Sequence, residues 1–157
     1  MGNVININNN ANTEIIPEDN ITLEKLESIF QQAFYKVDRD EKCITVHGYY
    51  RIYIYIIPET KLLRYSASIK VPKKCNNLPK ALSDINNKVN FARLCCYDDG
   101  DVYTEYYIDY TVGLTLMHII SSMRRLENTS RTMLAELFKI IDKQIDVEPI
   151  VIVPQPL

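Results

Sequence analysis

The 157-residue chain has no tryptophan, two histidines, four glycines and four cysteines. The glycines are Gly2, Gly48, Gly100 and Gly113, and neither G-x-x-x-x-G-K-[ST] nor G-x-G-x-x-G can be built from them. Phosphate-cradling loops of those two kinds are excluded. His47 and His118 stand in no H-E-x-x-H or triad-like setting, and His118, inside an apolar helical stretch, reads as a partnered or surface histidine. Cys43, Cys75, Cys95 and Cys96 form no C-x-x-C pair. That argues against a zinc site or a disulfide framework and for free thiols in a reducing cytosol. The acidic group Asp98, Asp99 and Asp101 lacks the glycine and closing glutamate of a calcium loop, and hairpin-turn chemistry accounts for it. No apolar run approaches the ~20 residues of a membrane helix. The opening MGNVININNNAN has neither the basic nor the apolar region of a secretory signal. Net charge is −2, so nothing draws the chain to nucleic acid or anionic lipid. The expectation is a cytoplasmic protein with no nucleic-acid or membrane partner, no cofactor and no metal.

What is present is an ordinary globular core. Hydrophobic residues make up 46% and charged residues 24% of the chain, enough apolar content for one domain of this length. Residues 1–20 are Asn-rich and polar and are expected to form a flexible tail. Residues 21–145 then carry the elements of a single domain, and the Pro-rich residues 146–157 are expected to be extended. Thr22 is placed to cap a helix whose apolar stripe is Leu23, Leu26, Ile29, Phe30 and Ala33. Cys43–His47 and Tyr49–Ile57 predict a hairpin, with Gly48 supplying a positive φ at the turn. After the turn Pro58–Lys61, Leu63, Tyr65, Ala67, Ile69 and Val71 alternate with polar residues, and Pro72 ends that strand. Asn77 and Pro79 open a second helix bearing Leu78, Leu82, Ile85 and Val89. Phe91–Tyr97 and Val102–Tyr110, joined across Asp99-Gly100, predict a second hairpin. Thr115 caps a last helical region that Asn128-Thr129-Ser130 either kinks or divides. The order α-β-β-β-α-β-β-α, with short antiparallel connections, defines an α+β fold: an antiparallel sheet of about five strands with helices mainly on one face.

The stretch YYRIYIYI, residues 49–56, carries the functional signal. Alternate strand side chains point to opposite faces, so Tyr50, Ile52, Ile54 and Ile56 face the core while Tyr49, Arg51, Tyr53 and Tyr55 face away. The same parity adds Arg64, Ser66, Ser68, Lys70, Arg93, Tyr97, Tyr103, Glu105 and Tyr107 to the outer face. Tyrosine combines an apolar body with a polar tip, and with arginine it is an enriched contact residue at protein interfaces. Cross-strand tyrosine pairs also stabilise a solvated sheet, which is the competing explanation. The candidate interface residues are Arg51, Tyr53, Tyr55, Arg64, Tyr103 and Tyr107, for a protein partner or a second copy in a homodimer. No catalytic residue is assigned. The alternative is a small enzyme or ligand-binding protein whose site assembles only in the fold.

Residues 21–145 resemble the YbjN domain, a bacterial family associated with sensory-transduction regulation. The resemblance rests on LEKLESIFQQAFYKVDRDEKCITVHGYYRIYIYI, LLRYSASIKV and INNKVNFARLCCYDDGDVYTEYYIDYTVGLTLMHIISSMRRL. Most of it lies in N-x-x-x-x-x-R-x-x-x-x-D-D-G-D-V, from Asn87 through Arg93 to Val102. The resemblance implies a type III secretion chaperone-like fold, dimeric in many members and without a known cofactor. It further implies protein binding, as a chaperone-like or regulatory adaptor. It transfers no catalytic residue.

Overall fold

In the computed structural model, residues 14–70, 78–97 and 101–142 are described. Their order is β1 (Ile15–Ile16), a 3-10 turn (Glu18–Asn20), α1 (Leu23–Gln32), β2 (Lys36–Arg39), β3 (Cys43–His47), β4 (Arg51–Ile57), β5 (Leu62–Ile69), α2 (Leu78–Asn86), β6 (Arg93–Cys96), β7 (Val102–Asp109), β8 (Leu114–Thr115) and α3 (Leu116–Asp142). Six strands form one sheet in the order β2-β3-β4-β5-β7-β6, every pair antiparallel, and β1 with β8 forms a separate two-stranded ribbon. The α+β class holds, with more strands than the expected five.

Strict alternation produces the two faces. Ile44, Ile54, Tyr65 and Tyr106 lie side by side across β3, β4, β5 and β7, and the first three are fully buried. The helices cover this face. Leu26, Ile29 and Phe30 of α1 and Ala81, Leu82 and Ile85 of α2 are buried with it, as are Ile119, Met123, Leu126, Met133, Leu134 and Leu137 of α3. Each fully buried aliphatic chain contributes roughly 1.5–3 kcal/mol. Exposed pairs such as Lys61–Glu18 at 2.6 Å contribute about 0–1 kcal/mol, so packing rather than charge holds the layers together.

Local chemistry sets the ends of the elements. The Thr22 hydroxyl accepts the Lys25 N–H at 3.2 Å, as its position in sequence predicts, and Thr115 accepts the His118 N–H at 3.1 Å to start α3. The end of α1 is closed by Phe34 at φ +65°, with the Tyr35 N–H donating to the Phe30 carbonyl at 3.0 Å. That is a Schellman ending with phenylalanine where glycine is usual. Gly113 is required in the turn before β8, because its φ is +78° and a side chain there would meet the Ile16 carbonyl oxygen at 2.5 Å.

Several expectations change on contact with the structure. Helix α3 is a single continuous helix of 27 residues through Asn128-Thr129-Ser130. The fully buried Ser130 hydroxyl donates to the Thr104 hydroxyl of β7 at 2.9 Å, so it serves the helix–sheet contact instead of interrupting the helix. Gly48 does not take the positive φ predicted for it. Its missing side chain admits the Glu127 carboxylate of α3, which accepts the Tyr49 N–H and, at 3.2 Å, the Tyr50 N–H. Tyr49 consequently leaves the outer sheet face: it precedes β4, and Arg131 of α3 stacks over its ring at 4.8 Å. Within the polar segment 1–20, Ile15 and Ile16 pair with Thr115 and Leu114, and Ile16 joins the core. The expectations for residues 1–13, for Cys75, Pro72 and Asn77, for the Asp99-Gly100 turn and for residues 146–157 lie outside the described residues.

Candidate functional site

The sheet face opposite the helices carries all six candidate residues. Register fixes their arrangement in rows: Cys43, Tyr55, Arg64 and Tyr107 run across β3, β4, β5 and β7. The next row is Thr45, Tyr53, Ser66, Glu105 and Arg93, ending on β6. A third joins Ser68, Tyr103 and Cys95, while Arg51 stands across from His47 near the β3–β4 turn. Five of the eleven tyrosines, Tyr53, Tyr55, Tyr97, Tyr103 and Tyr107, belong to this face. The other six, Tyr35, Tyr49, Tyr50, Tyr65, Tyr106 and Tyr110, lie toward the helices or the turns.

The centre of the face is a residue that the sequence reading places there without a role. Glu105 is only 4% exposed although no helix covers it. The Tyr97 hydroxyl donates to its Oε1 at 2.9 Å and the Tyr107 hydroxyl to its Oε2 at 2.8 Å. Arg64 Nη1 lies 3.9 Å from Oε1. Arg64 is held in turn by the Tyr55 ring, 4.2 Å from its guanidinium carbon, while its buried Nε has no hydrogen-bond partner. Burial, then the hydrogen bond to Glu105, pushes the Tyr97 phenol up to about 12, and the same two causes raise Tyr107. Burial and the nearby Glu105 charge also raise the Cys95 thiol. These phenols stay protonated and act as donors.

Around this hub lies an open concavity of about 370 Å³, with walls of Tyr53, Tyr55, Tyr97 and Tyr103 and a floor including Arg64, Ser66 and Glu105. Sequence reasoning missed Tyr97, Glu105 and the serines as one unit. The available signal was a glutamate set between two tyrosines of like parity, Tyr103 and Tyr107. The groups around it come from β5, from β7 and from Tyr97 just after β6. Among the described residues no group of histidine, cysteine, aspartate and glutamate is arranged to hold a metal ion.

The class of molecule follows from this arrangement: an α+β domain with helices on one side of an antiparallel sheet and a tyrosine-rich second side. The family description "Putative bacterial sensory transduction regulator" matches residues 22–139, so the chain belongs to the YbjN family. The crystal structure of YbjN, "a putative transcription regulator" from E. coli, is similar with a TM-score of 0.65 and 18% identity, over 81% of this chain and 96% of that one. The type III secretion chaperone SycH of Yersinia pestis, in complex with a stable fragment of YscM2, is similar with a TM-score of 0.48 and 15% identity, over 71% and 95%. No curated protein matches the chain. Family membership fits a regulatory role. Among the described residues no helix is long and apolar enough to cross a membrane.

Proposed function

We propose that this chain is a non-enzymatic, cytoplasmic protein-binding domain, a regulatory or chaperone-like adaptor that meets its partner through the tyrosine-rich sheet face. The observation that supports the reading is the pre-organised state of that face. Its aromatic rings and Arg64 are locked to one another around a buried carboxylate, and preorganisation lowers the ordering cost of binding. An interface of standard size buries about 800 Å² per partner. A catalytic role fits less well, because Glu105 spends its acceptor capacity on its own neighbours and the raised phenols are poor bases at neutral pH.

The test is site-specific photo-crosslinking in the native cytoplasm. A photoreactive residue at Ser68 or Arg93, both exposed on the outer face, is expected to yield partner adducts. The same residue at Arg131 or Lys139, exposed on α3, is expected to yield none. Adducts from the helix positions alone would overturn the reading. Tyr53→Ala with Tyr55→Ala is expected to abolish the Ser68 adduct while the chain still melts cooperatively. Loss of the fold in that variant would instead make the two rings structural.

A further inference from the structure

We propose that the concavity receives a carboxylate of an acidic, extended segment of a partner protein, with Arg64 as its main anchor. This rests on the protein-binding reading of the face and adds the partner's chemistry. The argument is one of charge and donors. Glu105 is the carboxylate at the floor, and it is buried beneath the two phenol hydroxyls that donate to it. Its charge is stabilised by those hydroxyls and by Arg64 at 3.9 Å. The cations, by contrast, stand at or near the surface. Arg64 lines the concavity, Arg51 is exposed two residues from Tyr53 on the same face, and Arg93 is exposed across from Glu105. Asp109 accepts from the N–H and hydroxyl of Thr111, both at 2.8 Å, and Asp38 pairs with His47 at 2.6 Å.

Arg64 is also the one arginine in the lining of the concavity. Its contact to Glu105 is long at 3.9 Å, and 29% of its side chain is exposed. A carboxylate entering from solvent adds charge-assisted hydrogen bonds to such a guanidinium. Ser66 and Ser68 supply further hydroxyl donors within the same concavity. A second copy of this chain is disfavoured as the occupant, because two such faces would oppose arginine to arginine. Nucleic acid is disfavoured because three arginines are too few for phosphate-driven binding.

Four labelled probes titrated against the full chain provide the test: a glutamate-rich peptide, its glutamine counterpart, its lysine counterpart and oligothymidylate. The glutamate peptide is expected to bind and to weaken as salt screens its charges, and the glutamine peptide to bind about tenfold more weakly or worse. Arg64→Gln is expected to weaken glutamate-peptide binding at least about fivefold. Since Arg64→Gln also disturbs Glu105, the exposed pair Arg51→Gln with Arg93→Gln serves as the second variant and is expected to act in the same direction. Tighter binding of the lysine peptide or of oligothymidylate overturns the proposal, as does no binding of the glutamate peptide up to about 1 mM. The broader reading has its own readout. If the lysine peptide binds and Tyr53→Ala with Tyr55→Ala abolishes it, the face binds protein and only the acidic partner is wrong. If the glutamate peptide binds regardless of those tyrosines, the face assignment itself fails.

Discussion

The side chain of Asn86 meets the backbone of Leu94 twice, donating from Nδ2 to the Leu94 carbonyl at 2.9 Å and accepting the Leu94 N–H on Oδ1 at 2.7 Å. Leu94 lies on β6, an outer strand of the six-stranded sheet, and Asn86 is the last residue of α2. One amide thus occupies both backbone groups of Leu94, which this strand turns away from β7. An open strand edge is a template for pairing with another chain, and covering it is a common protection.

Asn86→Ala should therefore act on stability and on association together. Leaving a part-buried N–H and carbonyl without partners costs about 1–3 kcal/mol, which lowers the melting point by several degrees. The uncovered edge should also raise self-association on heating, seen by light scattering. An unchanged melting point would mean that water replaces the amide without cost and that the edge needs no cover.

Phe34 carries the opposite prediction. It ends α1 at φ +65° with 98% of its surface exposed, so its ring contributes almost no burial while its backbone pays a left-handed penalty. Phe34→Gly should stabilise the chain by about 0.5–1 kcal/mol, the steric relief exceeding the entropy that glycine adds to the unfolded state. Phe34→Val, β-branched, should destabilise it. Thermal melts of the two variants decide, and a lower melting point for the glycine variant would show that the ring has contacts worth more than the strain.

The parts of the fold legible in sequence are those where a period runs long enough to count. β4 and β5 alternate over seven and eight residues, and Ile52, Ile54, Leu63, Tyr65 and Ala67 are buried as alternation names. Ile56 and Ile69 are half-buried, and Ser66 is buried against the pattern. β2 was illegible because Lys36–Arg39 has one apolar residue, Val37, and an edge strand is better served by charge than by alternation. β1 and β8, two residues each, are too short for any period and exist through their pairing. Asn128-Thr129-Ser130 looked like a helix break because these residues favour turns, and tertiary contact overrode that preference. The outer face was legible as a set of residues of like parity. Its hub was not, since a glutamate on an outer face reads as solvated until the strands that bring Tyr97, Tyr107 and Arg64 around it are in register.

That hub makes a pH-dependent prediction. Burial and the hydrogen bond to Glu105 push the Tyr97 phenol up from its ordinary value of 10.0 to about 12. A phenol with a raised folded pKa holds its proton more tightly when folded, so its stabilisation is complete below about pH 10 and is lost as pH climbs toward about 12. Tyr97→Phe cannot donate to Glu105 and lacks this contribution. Wild type should therefore exceed Tyr97→Phe in stability at neutral pH, and the gap should close across that alkaline window. Phenolate absorbance, taken as the difference between wild type and Tyr97→Phe, follows the same proton directly. In Glu105→Gln the Tyr97 titration should move down toward 10, but only in part, because burial is the larger cause of the shift and the hydrogen bond the smaller. A Tyr97 titration that is identical in wild type and Glu105→Gln would mean that this hydroxyl does not bind Glu105 in solution. The face would then lack the buried anchor on which its rigidity depends.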